Sequence, residues 1–165
     1  MTLTRRRLMA FTAGAAPLVA LGTRSHAGAT VLLVHDDTLA AGRRFALRAQ
    51  TLGMPSRALE GDRVRLVRRL LAQRPARIFG MTRHADRLLM ADIAREWGYV
   101  DLASIQQRVD AEPLSQGCRA TAALADAAGP CWPEAFAHSA LGGQPSPMAG
   151  APTDPAFSWV LHPKP

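Results

Sequence analysis

The sequence predicts an α/β protein: a small three-layer, Rossmann-like or flavodoxin-like domain with a mostly parallel sheet of about four strands, followed by an irregular Gly/Pro-rich C-terminal arm. Two observations carry this. Three times in succession a short candidate strand is followed by a segment whose apolar residues recur at helical spacing, and such strand–helix units pair in parallel through right-handed crossovers. The first run, Thr30-Val31-Leu32-Leu33-Val34, is a continuous stretch of β-branched and apolar residues, as a strand covered on both faces reads.

The elements follow in order. After the first strand, Asp36-Asp37-Thr38 supplies side chains suited to helix capping, and Ala41, Phe45, Ala49 and Leu52 form an apolar stripe opposite Arg43, Arg44 and Arg48. Gly53 ends that helix. Pro55 to Leu59 is a short second strand, Asp62 is a cap, and Val64, Val67, Leu70 and Leu71 face the core opposite Arg63, Arg65, Arg68 and Arg69, with Pro75 at the exit. In the third unit Arg77-Ile78-Phe79-Gly80-Met81 is the strand, and Ala85, Leu89, Ile93 and Trp97 line a helix closed by Gly98. Tyr99-Val100-Asp101-Leu102 begins a fourth strand; from Leu102 through Ile105 to Val109 the spacing suits a helix as well.

Beyond Asp110 the arginines give way to Ala, Gly and Pro. Cys118 to Ala128 reads as helix, and Trp132-Pro133-Glu134 as the start of another, because proline is accommodated in a first turn. Gly142 to Pro155 reads as irregular chain. Phe157, Trp159 and Leu161 then alternate, the pattern of a terminal strand or extended arm that docks one apolar face on the domain. The organisation is thus residues 1–29, a domain over 30–140, and a tail over 141–165 with a docking segment at 157–161.

The first 29 residues carry a different message. Thr4-Arg5-Arg6-Arg7-Leu8-Met9 is followed by a weakly apolar stretch from Met9 to Gly22, diluted by Thr12, Gly14 and Pro17, and then by Ala27-Gly28-Ala29. A charged start, a short apolar middle and a small-x-small end are the parts of a cleavable export signal. The segment resembles bacterial twin-arginine signals, with Arg5-Arg6 as the pair, Leu8 in the bulky position, Arg24 ahead of the cleavage site, and Ala27 and Ala29 as the small residues that end the signal. The resemblance implies a twin-arginine translocase as export partner, passage as a folded cargo, a periplasmic or secreted destination, and no membrane anchor after cleavage. About 14 apolar residues also fall short of the roughly 20 that span a bilayer.

Export changes how the charge is read. The formal charge is +7, but four of the 20 basic residues and none of the 13 acidic ones lie in the signal, which leaves 16 against 13, about +3. Residues 30–109 hold 14 basic and 8 acidic groups, and 110–165 hold 2 and 5. A periplasmic destination argues against nucleic acid as the partner of that arginine-rich half and favours solvated helix faces. Of the two cysteines, Cys118 and Cys131, an oxidising compartment favours a disulfide, which would contribute about 3 kcal/mol. The rival, a metal site with His138, lacks the close ligand pairs that zinc sites use.

In an open parallel sheet the loops after the strands share one rim, where ligands bind most often. That rule gathers His35, Asp36 and Asp37 after the first strand, Glu60 and Asp62 after the second, and Thr82, Arg83 and His84 after the third. The set holds groups for acid–base chemistry, a divalent metal or a small polar ligand, although Asp37 and Asp62 also stand where helix caps belong. No Gly-x-Gly-x-x-Gly follows the first strand, and no P-loop or Gly-x-Ser-x-Gly elbow occurs, which argues against a dinucleotide cofactor and against those hydrolase classes.

The run from Val31 to Asp37 looks like the opening of response-regulator receiver domains, in which an acidic pair after the first strand binds magnesium. The phosphoacceptor aspartate such domains carry after the third strand has no counterpart in Phe79-Gly80-Met81-Thr82, so the likeness implies architecture rather than activity. Two readings follow: a non-catalytic exported module that binds a small polar ligand or supports a periplasmic protein partner, and a small hydrolase or metal-dependent enzyme using the rim. A redox role for Cys118 and Cys131 is weaker, because redox pairs stand two residues apart at a helix start.

Overall fold

A computed structural model describes residues 30–107, 114–117, 119–143 and 155–165. The signal segment with Arg5, Arg6, Arg7, Ala27 and Ala29, together with Cys118, Val109 and most of the Gly/Pro stretch, lies outside the described residues.

The fold is α/β. The chain runs β1 (Val31–His35), α1 (Ala40–Thr51), β2 (Ser56–Ala58), α2 (Arg63–Leu71), β3 (Arg77–Thr82), α3 (His84–Glu96), β4 (Tyr99–Gln106), β5 (Leu114–Gly117), α4 (Arg119–Ala128), a 3-10 turn (Gly129–Cys131), α5 (Trp132–Ala140) and β6 (Phe157–Pro163). The sheet order is β2-β1-β3-β6-β4-β5. Pairs β2–β1 and β1–β3 are parallel, whereas β3–β6, β6–β4 and β4–β5 are antiparallel.

Two expectations about the sheet are corrected here. It has six strands rather than about four, and it is mixed rather than mostly parallel. The cause is β6, which enters the sheet between β3 and β4 and reverses direction against both. Expected to bury one face, this segment buries both: Trp159 and Leu161 join one core and Val160 the other.

The sheet is covered on both sides. Leu33, Phe79, Met81 and Val160 pack with Ala41, Phe45 and Ala49 of α1, Ala125 of α4 and Trp132 and Phe136 of α5. On the opposite face Val34, Ile78, Trp159 and Leu161 pack with Val67, Leu70 and Leu71 of α2 and Met90 and Ile93 of α3. Phe136 is the hub of the first core, with ring centroids 5.5 Å from Phe45, 5.6 Å from Phe79 and 5.2 Å from Trp132.

Two close approaches depend on glycine. Gly80 of β3 lies opposite Trp159 in the ladder, and a Cβ there would stand 2.0 Å from the indole Cζ2. The indole instead covers the bare backbone, and its Nε1 donates to Thr82 Oγ1 at 2.9 Å. Gly42 lets α1 rest against the loop after β1, where a Cβ would meet the Asp36 carbonyl oxygen at 2.0 Å.

Three helix faces differ from the apolar pattern. On α2, Val64 is 42% exposed while Arg63, expected on the solvent side, reaches inward to Asp86. On α3 the buried positions are Asp86, Met90, Ile93 and Ala94 rather than a stripe through Ala85 and Leu89. A charged residue occupies a core-facing position, so hydrophobicity alone rotates the inferred face. On α1, Arg44 and Arg48 are not simply solvated. Arg44 grips Glu134 of α5 with two bonds, Nε to Oε1 at 2.6 Å and Nη2 to Oε2 at 2.7 Å, and Arg48 Nε donates to His138 Nε2 at 2.9 Å. Both pairs are spaced i, i+4 on both helices, giving two parallel rungs between α1 and α5.

Candidate functional site at the strand-end rim

Strand order reverses between β1 and β3, since β2 lies to one side of β1 and β3 to the other. In doubly wound sheets the crevice at that reversal is the usual ligand site. Its floor is continuous here, because the Asp36 amide donates to the Met81 carbonyl at 3.0 Å, one step beyond the strand ladder.

Above that floor the chain closes the crevice with its own side chains. Asp36 is 2% exposed. Its Oδ1 accepts from the Thr38 amide at 2.9 Å and from Thr38 Oγ1 at 2.5 Å. Its Oδ2 lies 3.1 Å from Arg83 Nε, an ion pair in which the N–H is not aimed along a hydrogen-bond direction. Arg83 Nη2 in turn donates to Thr38 Oγ1 at 2.6 Å. Asp36, Thr38 and Arg83 therefore form a closed ring that ties the loop after β1 to the loop after β3.

A second pair stands beside the first. Asp86, in the first turn of α3, is 7% exposed and lies 2.7 Å from Arg63 Nε through its Oδ1. Burial pushes its carboxyl above the ordinary carboxylate range and Asp36 adds to the rise, against the downward pull of Arg63 and Arg83. The rim thus holds two buried carboxylates, each neutralised by an arginine from another element. Such pairs fix geometry, and removing one partner is costly because a buried charge is left behind.

The remaining expected residues divide. Thr82 is fully buried, donates to the Arg83 carbonyl at 3.0 Å and accepts from Trp159, so its hydroxyl is spent in the core. Asp62 caps α2 by accepting from the Arg65 amide at 3.0 Å. Asp37 does not cap α1: the N-cap position falls on Leu39 without a side-chain bond, and Asp37 uses its carbonyl to accept from Arg43 Nη1 at 2.7 Å. His84 is exposed and its ring stacks on Phe157 with centroids 4.5 Å apart. Glu60 is exposed. His35 turns toward the edge strand, where Nδ1 is 3.0 Å from Ser56 Oγ.

Of the eight expected residues, the structure joins Asp36 and Arg83 directly, and it adds Thr38, Arg63 and Asp86 to them. Asp86 was detectable in principle, as an acid in a helix first turn. Thr38 reads in the sequence only as a capping residue and Arg63 only as a solvent-side arginine. Among the described residues, no group of three or more His, Cys, Asp or Glu is placed to hold a metal ion, and no helix is long and apolar enough to cross a membrane.

Two histidines set a pH response. Burial lowers His35, against the upward pull of Asp37, Asp36 and Glu60. Burial and the neighbouring Arg48 lower His138, whose Nε2 accepts from that guanidinium and so requires a neutral ring. A histidine depressed in the folded state takes up its proton more readily when unfolded. Its stabilising contribution is therefore complete above the ordinary value of 6.5 and is lost as pH falls from 6.5 toward the lowered folded value. Asp86 has the opposite sign, because its raised pKa favours the folded state as pH falls toward 3.8. Thermal melts across this range are expected to show Tm falling as pH drops below about 6.5. His138→Gln, whose amide oxygen still accepts from Arg48, flattens part of that fall.

Set against known proteins, the chain matches no family model, no curated protein and no solved structure.

Proposed function

We propose that this chain is an exported module of the bacterial periplasm that performs no chemistry at its strand-end rim and acts by binding a small polar ligand or a periplasmic protein partner. The observation that carries this reading is the closed ring of Asp36, Thr38 and Arg83 across the β1–β3 crevice. A rim whose two buried carboxylates, Asp36 and Asp86, are each already paired with an arginine offers neither of them as a free anionic ligand at the position where doubly wound sheets place their sites. The order β2-β1-β3 supports the flavodoxin-like form of the architecture over the Rossmann-like form, with β6 as an antiparallel insertion.

The export half of the proposal rests on Arg5-Arg6, the weakly apolar middle and Ala27-Gly28-Ala29. In the oxidising compartment it implies, Cys131 beside the start of α5 pairs with Cys118. Replacing Arg5 and Arg6 together by lysine keeps the charge and removes the arginine pair. The expected result in cell fractions is full-length precursor retained in the cytoplasm, where the unaltered chain gives a periplasmic form about 29 residues shorter. Equal processing of both chains would overturn the route. The rim itself is tested by a double-mutant cycle on Asp36 and Arg83 read as stability.

A further inference from the structure

On the flank of the domain, beside the closed rim, α1 and the edge strand β2 enclose an open groove of about 440 Å³ lined by His35, Arg43, Leu47, Gln50, Pro55 and Ser56. That volume lies within the span of small-molecule sites. The placement follows from the chain. Arg43, Leu47 and Gln50 are spaced i, i+4, i+7 and form one stripe of α1, beside the buried stripe of Ala41, Phe45 and Ala49. Ser56 pairs with Leu33 in the parallel register and so stands diagonal to His35 on the same sheet face. β2 is an edge strand, and no further strand among the described residues covers this corner.

The lining combines an apolar wall with convergent polar groups. Leu47 is 64% exposed, the most open of four exposed large hydrophobic side chains among the described residues. The exposed Arg43 guanidinium uses Nη1 on the Asp37 carbonyl at 2.7 Å and makes no other side-chain hydrogen bond among the described residues, which leaves most of its five donors for a ligand. Ser56 Oγ and His35 Nδ1 are held together at 3.0 Å, which fixes the ring and leaves Nε2 without a hydrogen-bond partner among the described residues. Gln50 adds an amide that donates and accepts.

We infer that this groove binds a small organic monocarboxylate: the carboxylate on Arg43, an aryl or alkyl body on Leu47 and Pro55, and any polar substituent against His35 and Gln50. A planar guanidinium with free donors selects a carboxylate by paired hydrogen bonds. A single negative charge is favoured over two or three, since the exposed carboxylates of Asp37 and Glu60 act electrostatically on His35 at the end of the groove. The inference rests on the reading of the chain as a ligand-binding module and supplies the ligand class.

The probe is benzoate, with benzyl alcohol as the uncharged control, titrated into the mature protein and followed by amide resonances in two-dimensional NMR. Benzoate is expected to move the signals of Arg43, Leu47, Gln50 and Ser56 with a dissociation constant on the order of a millimolar, the scale of a fragment this small. Benzyl alcohol should bind at least about tenfold more weakly, and Arg43→Gln should weaken benzoate by a similar factor, the size of one charge-assisted pair. Leu47→Ser, at an exposed position, should weaken benzoate while leaving the spectrum outside the groove unchanged, which separates lost binding from lost folding. No shift with benzoate, or equal shifts with benzyl alcohol, would overturn the groove alone. Shifts at Asp36, Thr38 and Arg83 instead would overturn both the groove and the reading of a closed rim.

Discussion

Gly80→Ala is expected to lower the stability of the domain by about 3 kcal/mol, the upper end of the usual cost of overpacking a core, with a fall in Tm on the order of 10 °C. The new Cβ would stand 2.0 Å from Cζ2 and 2.1 Å from Cε2 of Trp159. Neither neighbour can yield easily. Gly80 lies in β3 between β1 and β6, with its backbone held in both ladders, and Trp159 is 1% exposed and tied to Thr82 through Nε1. The indole therefore cannot swing aside without leaving the Thr82 hydroxyl unpartnered in the core. Chemical denaturation of the Gly80→Ala chain measures the loss. Combining it with Trp159→Leu should cost less than the sum of the two changes, because the smaller side chain vacates the space the methyl needs. Full additivity would show that the two residues do not share that space.

Phe136→Ala is expected to cost about 3–5 kcal/mol, the range for removing a buried phenyl ring. Phe136 is 1% exposed and is the ring that Phe45 of α1, Phe79 of β3 and Trp132 of α5 share. Its loss opens a cavity where helix layer and sheet meet, and loosens the interface that the Arg44–Glu134 and Arg48–His138 rungs brace. Phe136→Leu, which keeps most of the volume, should cost much less. Comparable losses for the two variants, measured by denaturant unfolding, would contradict the placement of Phe136 at the centre of that core.

How far the fold was legible depended on whether its signal was local. β1 and β3 could be read directly because strands covered on both faces are apolar at successive positions, and α1 and α3 end beside Gly53 and Gly98, each with φ near 80°. The course of β4 past Leu102 was ambiguous: Leu102 and Ile105 fit either period, and pairing with β5 and β6 decides for strand. The central place of β6 was not legible at all. Its alternation announces a strand, but strand order is set by tertiary packing, and the Gly/Pro stretch before it suggested an appended arm.

The site divides in the same way. Asp62 as a cap follows from one position and its neighbours, and the structure has it. The Asp36–Arg83 pair spans two loops far apart in sequence, and Asp86 meets Arg63 across two helices. Nothing in the spacing of such residues says which arginine will meet which carboxylate. Their charges suggested a place for a ligand, whereas the geometry shows them neutralising one another.

The central claim, that the rim is scaffold rather than reaction centre, is tested most directly by denaturant unfolding of Asp36→Ala, Arg83→Ala and the double variant. Asp36 is nearly fully buried with bonds to Thr38 and a contact to Arg83, so Asp36→Ala should lose about 2 kcal/mol. Arg83 is half exposed, and its removal should lose about 1 kcal/mol. The double variant should fall short of their sum by roughly 1 kcal/mol, the coupling of a shared network. The contradicting result is an Asp36→Ala chain as stable as the unaltered protein or more so, the behaviour of a residue kept for function at the expense of stability.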